Sequence, residues 1–155
     1  MFHPHRLMVV ALMLALAAVA AAKPNFSGKW SMNAAKSDYG PIPAPEKFTR
    51  DIEHADPSLL IKSHQVGQQG EIQSEFKYTT DGKESVNQSR GGEIRGTARW
   101  DGDVLVIESK RNIQGMDISQ TDKWRMAGDG KSMKIESSLR TPQGDLEISV
   151  FFDKQ

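Results

Sequence analysis

The sequence predicts an all-β domain, an antiparallel up-and-down meander of about eight to ten strands closed into a barrel. Three observations carry this. After Lys23 no long stretch places apolar residues at helical spacing, whereas alternation with a period of two recurs along the chain. The dipeptides Asp81-Gly82, Asp101-Gly102, Asp129-Gly130 and Gln143-Gly144 punctuate these runs with residues that tolerate the backbone of tight hairpin turns. Finally, a meander of this many strands with one wet face has two exposed edges, which closure removes.

The chain opens differently. His3, His5 and Arg6 precede the apolar run Leu7 to Ala20, a cationic start and short apolar core followed by small residues. This is the pattern of a secretory signal, and the run is too short and Ala-rich to span a bilayer. Residues 1–22 are expected to be a signal peptide, cut after Ala22 or after Ala20, and residues 23–155 a single exported domain in the periplasm or the medium. No stable membrane anchor is expected after cleavage. There is no cysteine, which excludes disulfides, lipid attachment at a cysteine, thiol catalysis and Cys-ligated metals. Without Arg6, 19 basic residues face 20 acidic ones, a balance that gives no footprint for nucleic acid.

Within the domain, Ile72, Ser74, Phe76 and Tyr78 share one face of a strand against Glu71, Gln73, Glu75 and Lys77. Met133, Ile135 and Leu139 oppose Lys134, Glu136 and Arg140, and Leu146, Ile148, Val150 and Phe152 oppose Glu147, Ser149 and Asp153. Looser breaks are read at Asp56-Pro57, Gly67 to Gly70, Gly91-Gly92 and Asn112 to Gly115, so that each strand pairs with its sequence neighbour. Asn33 to Pro45, with Gly40, Pro41, Pro43 and Pro45, cannot continue a ladder and is expected to lie over one end of the barrel.

The first strand, Phe26-Ser27-Gly28-Lys29-Trp30, places Gly-x-Trp at the head of a small meander, and the chain ends in Val150-Phe151-Phe152-Asp153-Lys154. In these features the chain resembles the calycin group of lipocalins, fatty-acid-binding proteins and avidins, and the small exported bacterial proteins described as lipocalin-like. The resemblance implies a barrel with Trp30 plugging one end. It does not imply a fatty acid: the Arg-x-Tyr pair by which fatty-acid-binding proteins hold a carboxylate would fall on Val150 and Phe152, and the connector is too short for their helical pair.

Projecting the alternation inward groups Phe48, Arg50, Ile52 and His54 with the Ile72 to Tyr78 face and with Ile118, Gln120, Asp122 and Trp124. A mostly apolar interior with a few polar groups describes a small-molecule pocket. The same residues also allow Arg50 and Asp122 to pair in a solid core. The candidate pocket residues are Arg50, Ile52, Phe76, Tyr78, Gln120, Trp124 and Ile135, with Trp30 and Trp100 as structural residues at the barrel end. The only domain histidines, His54 and His64, are too few for a metal site, and the Asp-Gly turns lack the ligands of a calcium loop. Lys110-Arg111 and Arg95 to Arg99 read as solvated faces. With no nucleophile elbow, phosphate loop or zinc-protease motif, the function expected is non-enzymatic and cofactor-free: a monomer binding a small hydrophobic or amphipathic molecule. The other reading is an envelope interaction domain using Phe151 on the outer face of the last strand.

Overall fold

The structure, a computed structural model, describes residues 22–155, so the expected signal peptide lies, but for Ala22, outside the described residues. Ten strands follow one another: β1 (Gly28–Met32), β2 (Lys47–Ala55), β3 (Ser58–Gly67), β4 (Gly70–Thr79), β5 (Ser85–Ser89), β6 (Gly92–Asp101), β7 (Val104–Ile113), β8 (Met116–Met126), β9 (Ser132–Thr141) and β10 (Gly144–Lys154). They form one antiparallel sheet in the order β4-β3-β2-β1-β10-β9-β8-β7-β6-β5. The first and last strands are neighbours, with Trp30 opposite Lys154 and Met32 opposite Phe152. Wrapped on itself, this order makes a nearly closed up-and-down barrel.

The turns are tighter than the sequence suggests. The registers Ala55 with Ser58, Gly67 with Gly70, Ser89 with Gly92 and Ile113 with Met116 leave two-residue loops where looser breaks were expected. At the last of these, Gln114 and Gly115 both have positive φ, 52° and 83°, the primed turn that matches strand twist, and the Gly115 amide donates to Asn112 Oδ1 at 2.9 Å. The β9–β10 loop is Pro142-Gln143 rather than Gln143-Gly144, since Thr141 pairs with Gly144.

One hairpin expected from the sequence is absent. Asp81-Gly82 does not turn β4 back onto β5, and these two strands are the ends of the sheet, not partners. Asp81 instead bridges to Arg99, and the Gly82 amide donates to the Ala98 carbonyl at 2.9 Å. The cause lies one strand further on. Gly96 in β6 receives the Tyr78 ring: a Cβ there would stand 3.1 Å from Tyr78 Cε1 and 2.7 Å from the Glu108 carbonyl oxygen. Tyr78 therefore packs across the seam onto β6, above the start of the short β5. The seam is closed by a side chain. Asn87 accepts from the Lys77 amide at 2.8 Å and donates to the Lys77 carbonyl at 3.0 Å, replacing a backbone pair with its own carboxamide.

The apolar core fills one end, beneath the β2–β3, β6–β7 and β8–β9 turns. Trp30, Phe26, Trp124 and Phe152 are buried there with Ile52, Leu59, Leu105, Met133 and Ile135. The segment leading into β1 is part of this plug. Phe26 stacks on His54 and Trp100 and meets Trp124 edge-on at 5.4 Å, while its carbonyl accepts from Trp30 Nε1 at 2.9 Å. Its amide donates to His54 Nδ1 at 3.1 Å, which leaves Nε2 as the protonated nitrogen donating to Asp56 Oδ1 at 2.6 Å. Gly28 in the Gly-x-Trp motif gives passage to Lys154: a Cβ would meet its Cε at 2.8 Å, and its ammonium lies 5.6 Å from the centroid of the Trp30 ring. The Pro-rich connector runs along the upper wall. Asp38 pairs with Ser149 of β10, Tyr39 packs on the core and Glu46 reaches Val66 of β3. It continues the wall above the short β1 and contributes no residue to the cavity described next.

Candidate functional site

Above the packed end lies a cavity of about 400 Å³. Its walls mix apolar and polar side chains: Ile61, Phe76, Ile94, Ile107 and Ile118 project inward, with Ser63, Ser74 and Ser109 among them, because each occupies the inward parity of its strand. Ile72, 38% exposed, stands nearer the mouth with Gln65, Arg90 and Arg111. Of the sequence-derived pocket residues, Arg50, Phe76, Tyr78, Gln120 and Trp124 line this space. Ile52 and Ile135 do not. Both are 2% exposed and pack in the core below, because alternation assigns a face and not a depth. Trp30 is buried in the plug, and Trp100 sits at the same end, donating from Nε1 to Asp56 Oδ2 at 3.2 Å. Arg111, read from its sequence neighbours as solvated, takes the inward parity of Ile107 and Ser109 and lines the mouth. Parity along β7 was the signal that could have found it.

The floor is formed by charged and aromatic groups. The Arg50 guanidinium lies 5.0 Å from the Phe48 ring, 5.2 Å from Trp124 and 5.3 Å from Phe152, a box in which cation–π attraction replaces part of its hydration. Its Nε and Nη1 are buried with no acceptor, and so is the donor Trp124 Nε1. Burial pulls the Arg50 pKa down, opposed by the Asp122 charge and by Tyr39 and Tyr78, but an arginine remains a cation throughout the physiological range. Asp122 is tethered separately. Its Oδ1 accepts from Ser137 Oγ at 2.6 Å and from Gln120 Nε2 at 2.9 Å. The solid-core alternative, an Arg50–Asp122 ion pair, does not form: each side chain is held by other neighbours. Among the described residues no group of three or more His, Cys, Asp or Glu is placed to hold a metal; His54 faces inward beside Asp56 and His64 lies 3.7 Å from Glu71 on the next strand.

Burial also sets the state of the two phenols. Tyr78 and Tyr39 are each pushed up to about 12, first by burial; at Tyr78 the Asp122 charge adds to it, and at both Arg50 opposes it. Because the phenolate is disfavoured only in the folded state, this stability is fully present below the ordinary pKa of 10.0 and is lost as pH rises from there toward 12. The chain has only these two tyrosines, so an ultraviolet titration reports on them alone. The phenolate signal is expected to stay flat through pH 10.0 and to rise toward 12. A rise centred at the ordinary value would mean that both phenols are solvated.

The fold and the cavity define a class: the chain has the nearly closed, ligand-sized barrel of the calycin type. Particular solved structures share this fold. It is similar to the zebrafish ileal bile acid-binding protein complexed with cholic acid (18% identity, TM-score 0.54, covering 84% of this chain and 98% of that one). It is also similar to a secretory abundant heat soluble protein from Ramazzottius varieornatus (15%, 0.58, 88% and 98%). A variant of the fluorescent protein UnaG is a third (17%, 0.51, 84% and 96%). At these identities the likeness is one of fold. No protein-family model matches the chain, and none of the curated proteins matches it in sequence.

Proposed function

We propose that this chain is an exported, non-catalytic binding protein that holds a small, largely apolar molecule in the upper half of its barrel, with a polar group of that molecule meeting Arg50. One observation carries the reading. Arg50 is a half-buried cation whose Nε and Nη1 are buried without a protein acceptor, and it sits at the floor of a cavity that mixes apolar and polar side chains. Leaving a buried charge unsatisfied is costly, on the order of several kcal/mol, and a site that receives a ligand's polar group gives the arrangement a use. The cavity volume falls within the usual range for small-molecule sites, and a barrel of the same fold is known complexed with cholic acid. Export rests on the leading segment, with its cationic start and apolar core. The outer-face alternative has less support, because the Lys134 ammonium lies 5.6 Å from the Phe151 ring centroid and the Phe151 amide is tied to Ser37 Oγ at 3.0 Å.

The test uses the neutral probe Nile red, with mass spectrometry of the native purified protein for retained small molecules. Saturable fluorescence enhancement is expected, and Ser74→Trp, which fills the cavity from the inward face of β4, should abolish it while the circular dichroism stays that of the wild type. A protein that neither retains a molecule nor binds Nile red would sink the reading.

A further inference from the structure

The cavity floor carries two opposite charges that do not meet. Arg50 is confined among three rings, and Asp122 is fixed through Oδ1 by Ser137 and Gln120, which leaves Oδ2 without a protein donor among the described residues. Each still lies in the other's field, since the Asp122 charge opposes the effect of burial on Arg50. The floor thus presents unpaired donors, at Arg50 and Trp124 Nε1, beside an open acceptor on the half-buried Asp122, with no net charge. A ligand carboxylate would be attracted by the guanidinium and repelled by Asp122. These two terms have the same form and opposite sign, and in a buried site both are large, so most of the attraction cancels. A neutral group that accepts at one atom and donates at another can instead bond both sides, and hydrogen bonds to charged partners are the strong ones. The arginines at the mouth, Arg90 and Arg111, stand at the solvent edge, where screening reduces them to a steering role.

We infer that the floor selects an uncharged head group that both donates and accepts, such as a primary amide or a hydroxyl on an apolar body, over a carboxylate on the same body. This rests on the binding reading above and names the class of ligand for that site.

Competition against Nile red at neutral pH tests it, with dodecanamide and dodecanoate as the two competitors. Dodecanamide is expected to displace the probe at a concentration at least about tenfold lower. In Asp122→Asn the Arg50 charge is uncompensated and dodecanoate should gain about tenfold, removing or reversing the preference. Dodecanoate competing as well as or better than dodecanamide against the wild type overturns the inference while leaving the binding reading intact. A wild type that does not bind Nile red counts against the binding reading itself. If circular dichroism shows Asp122→Asn to be unfolded, the wild-type ranking of the two competitors decides alone.

Discussion

Replacing Trp30 with Ala is expected to destabilise the domain by about 3–5 kcal/mol, the usual cost of emptying a large aromatic site in a core. The indole is 1% exposed, beneath Lys154, and its Nε1 donates to the Phe26 carbonyl at 2.9 Å. Removing it therefore leaves a cavity and orphans a buried carbonyl, and it loosens Phe26, which completes the plug against Trp124, Trp100 and His54. With no disulfide to limit the unfolded chain, nothing offsets the loss. Urea unfolding checks it: the midpoint should fall sharply with an unchanged slope. Trp30→Phe, which keeps most of the volume and loses the hydrogen bond, should cost about 1–2 kcal/mol. Equal costs for the two variants would mean that the ring volume is not what holds this end.

Asn87→Leu is the second large effect. Asn87 is 7% exposed, and its carboxamide supplies both hydrogen bonds that join β5 to Lys77 across the seam. Leucine matches the volume but leaves the Lys77 amide and carbonyl without partners, each worth about 1–3 kcal/mol when buried. A loss of about 2–4 kcal/mol is expected, with faster hydrogen exchange at the Lys77 amide than at amides of the continuous ladders. Asn87→Asp keeps the acceptor and sets a charge against the Lys77 carbonyl, so it should be no better than leucine near neutral pH. Unchanged exchange at Lys77 in Asn87→Leu would show that the seam is held by other contacts, Tyr78 on Gly96 first among them.

Asn87 also shows what could be read from the sequence and what could not. In Ser85-Val86-Asn87 the apolar residue points out, 49% exposed, and the polar one points in, the reverse of the pattern elsewhere. That inversion was a visible signal, but its meaning depended on knowing that β4 stands alongside without pairing. The same holds at Asp81-Gly82, whose composition suits a hairpin. The Tyr78 ring and the Gly96 gap, residues distant in sequence, determine that no hairpin forms there.

The sequence by itself determined that this is a β-meander, roughly where most of its strands break, and which face of most strands points inward. These are local properties, written in alternation and in the backbone freedom of a few residues. Only the tertiary structure decided where the barrel parts, how Phe26 and Trp30 plug one end, and how deep each inward residue lies. Depth separates Ile52 and Ile135, packed in the core, from Arg50 and Trp124 at the cavity floor. It depends on the register and tilt of strands far apart in sequence, which a period of two does not encode. For the same reason the sequence showed Arg50 and Asp122 on inward faces, whereas the packing of three aromatic rings and the hydrogen bonds of Ser137 and Gln120 kept them apart.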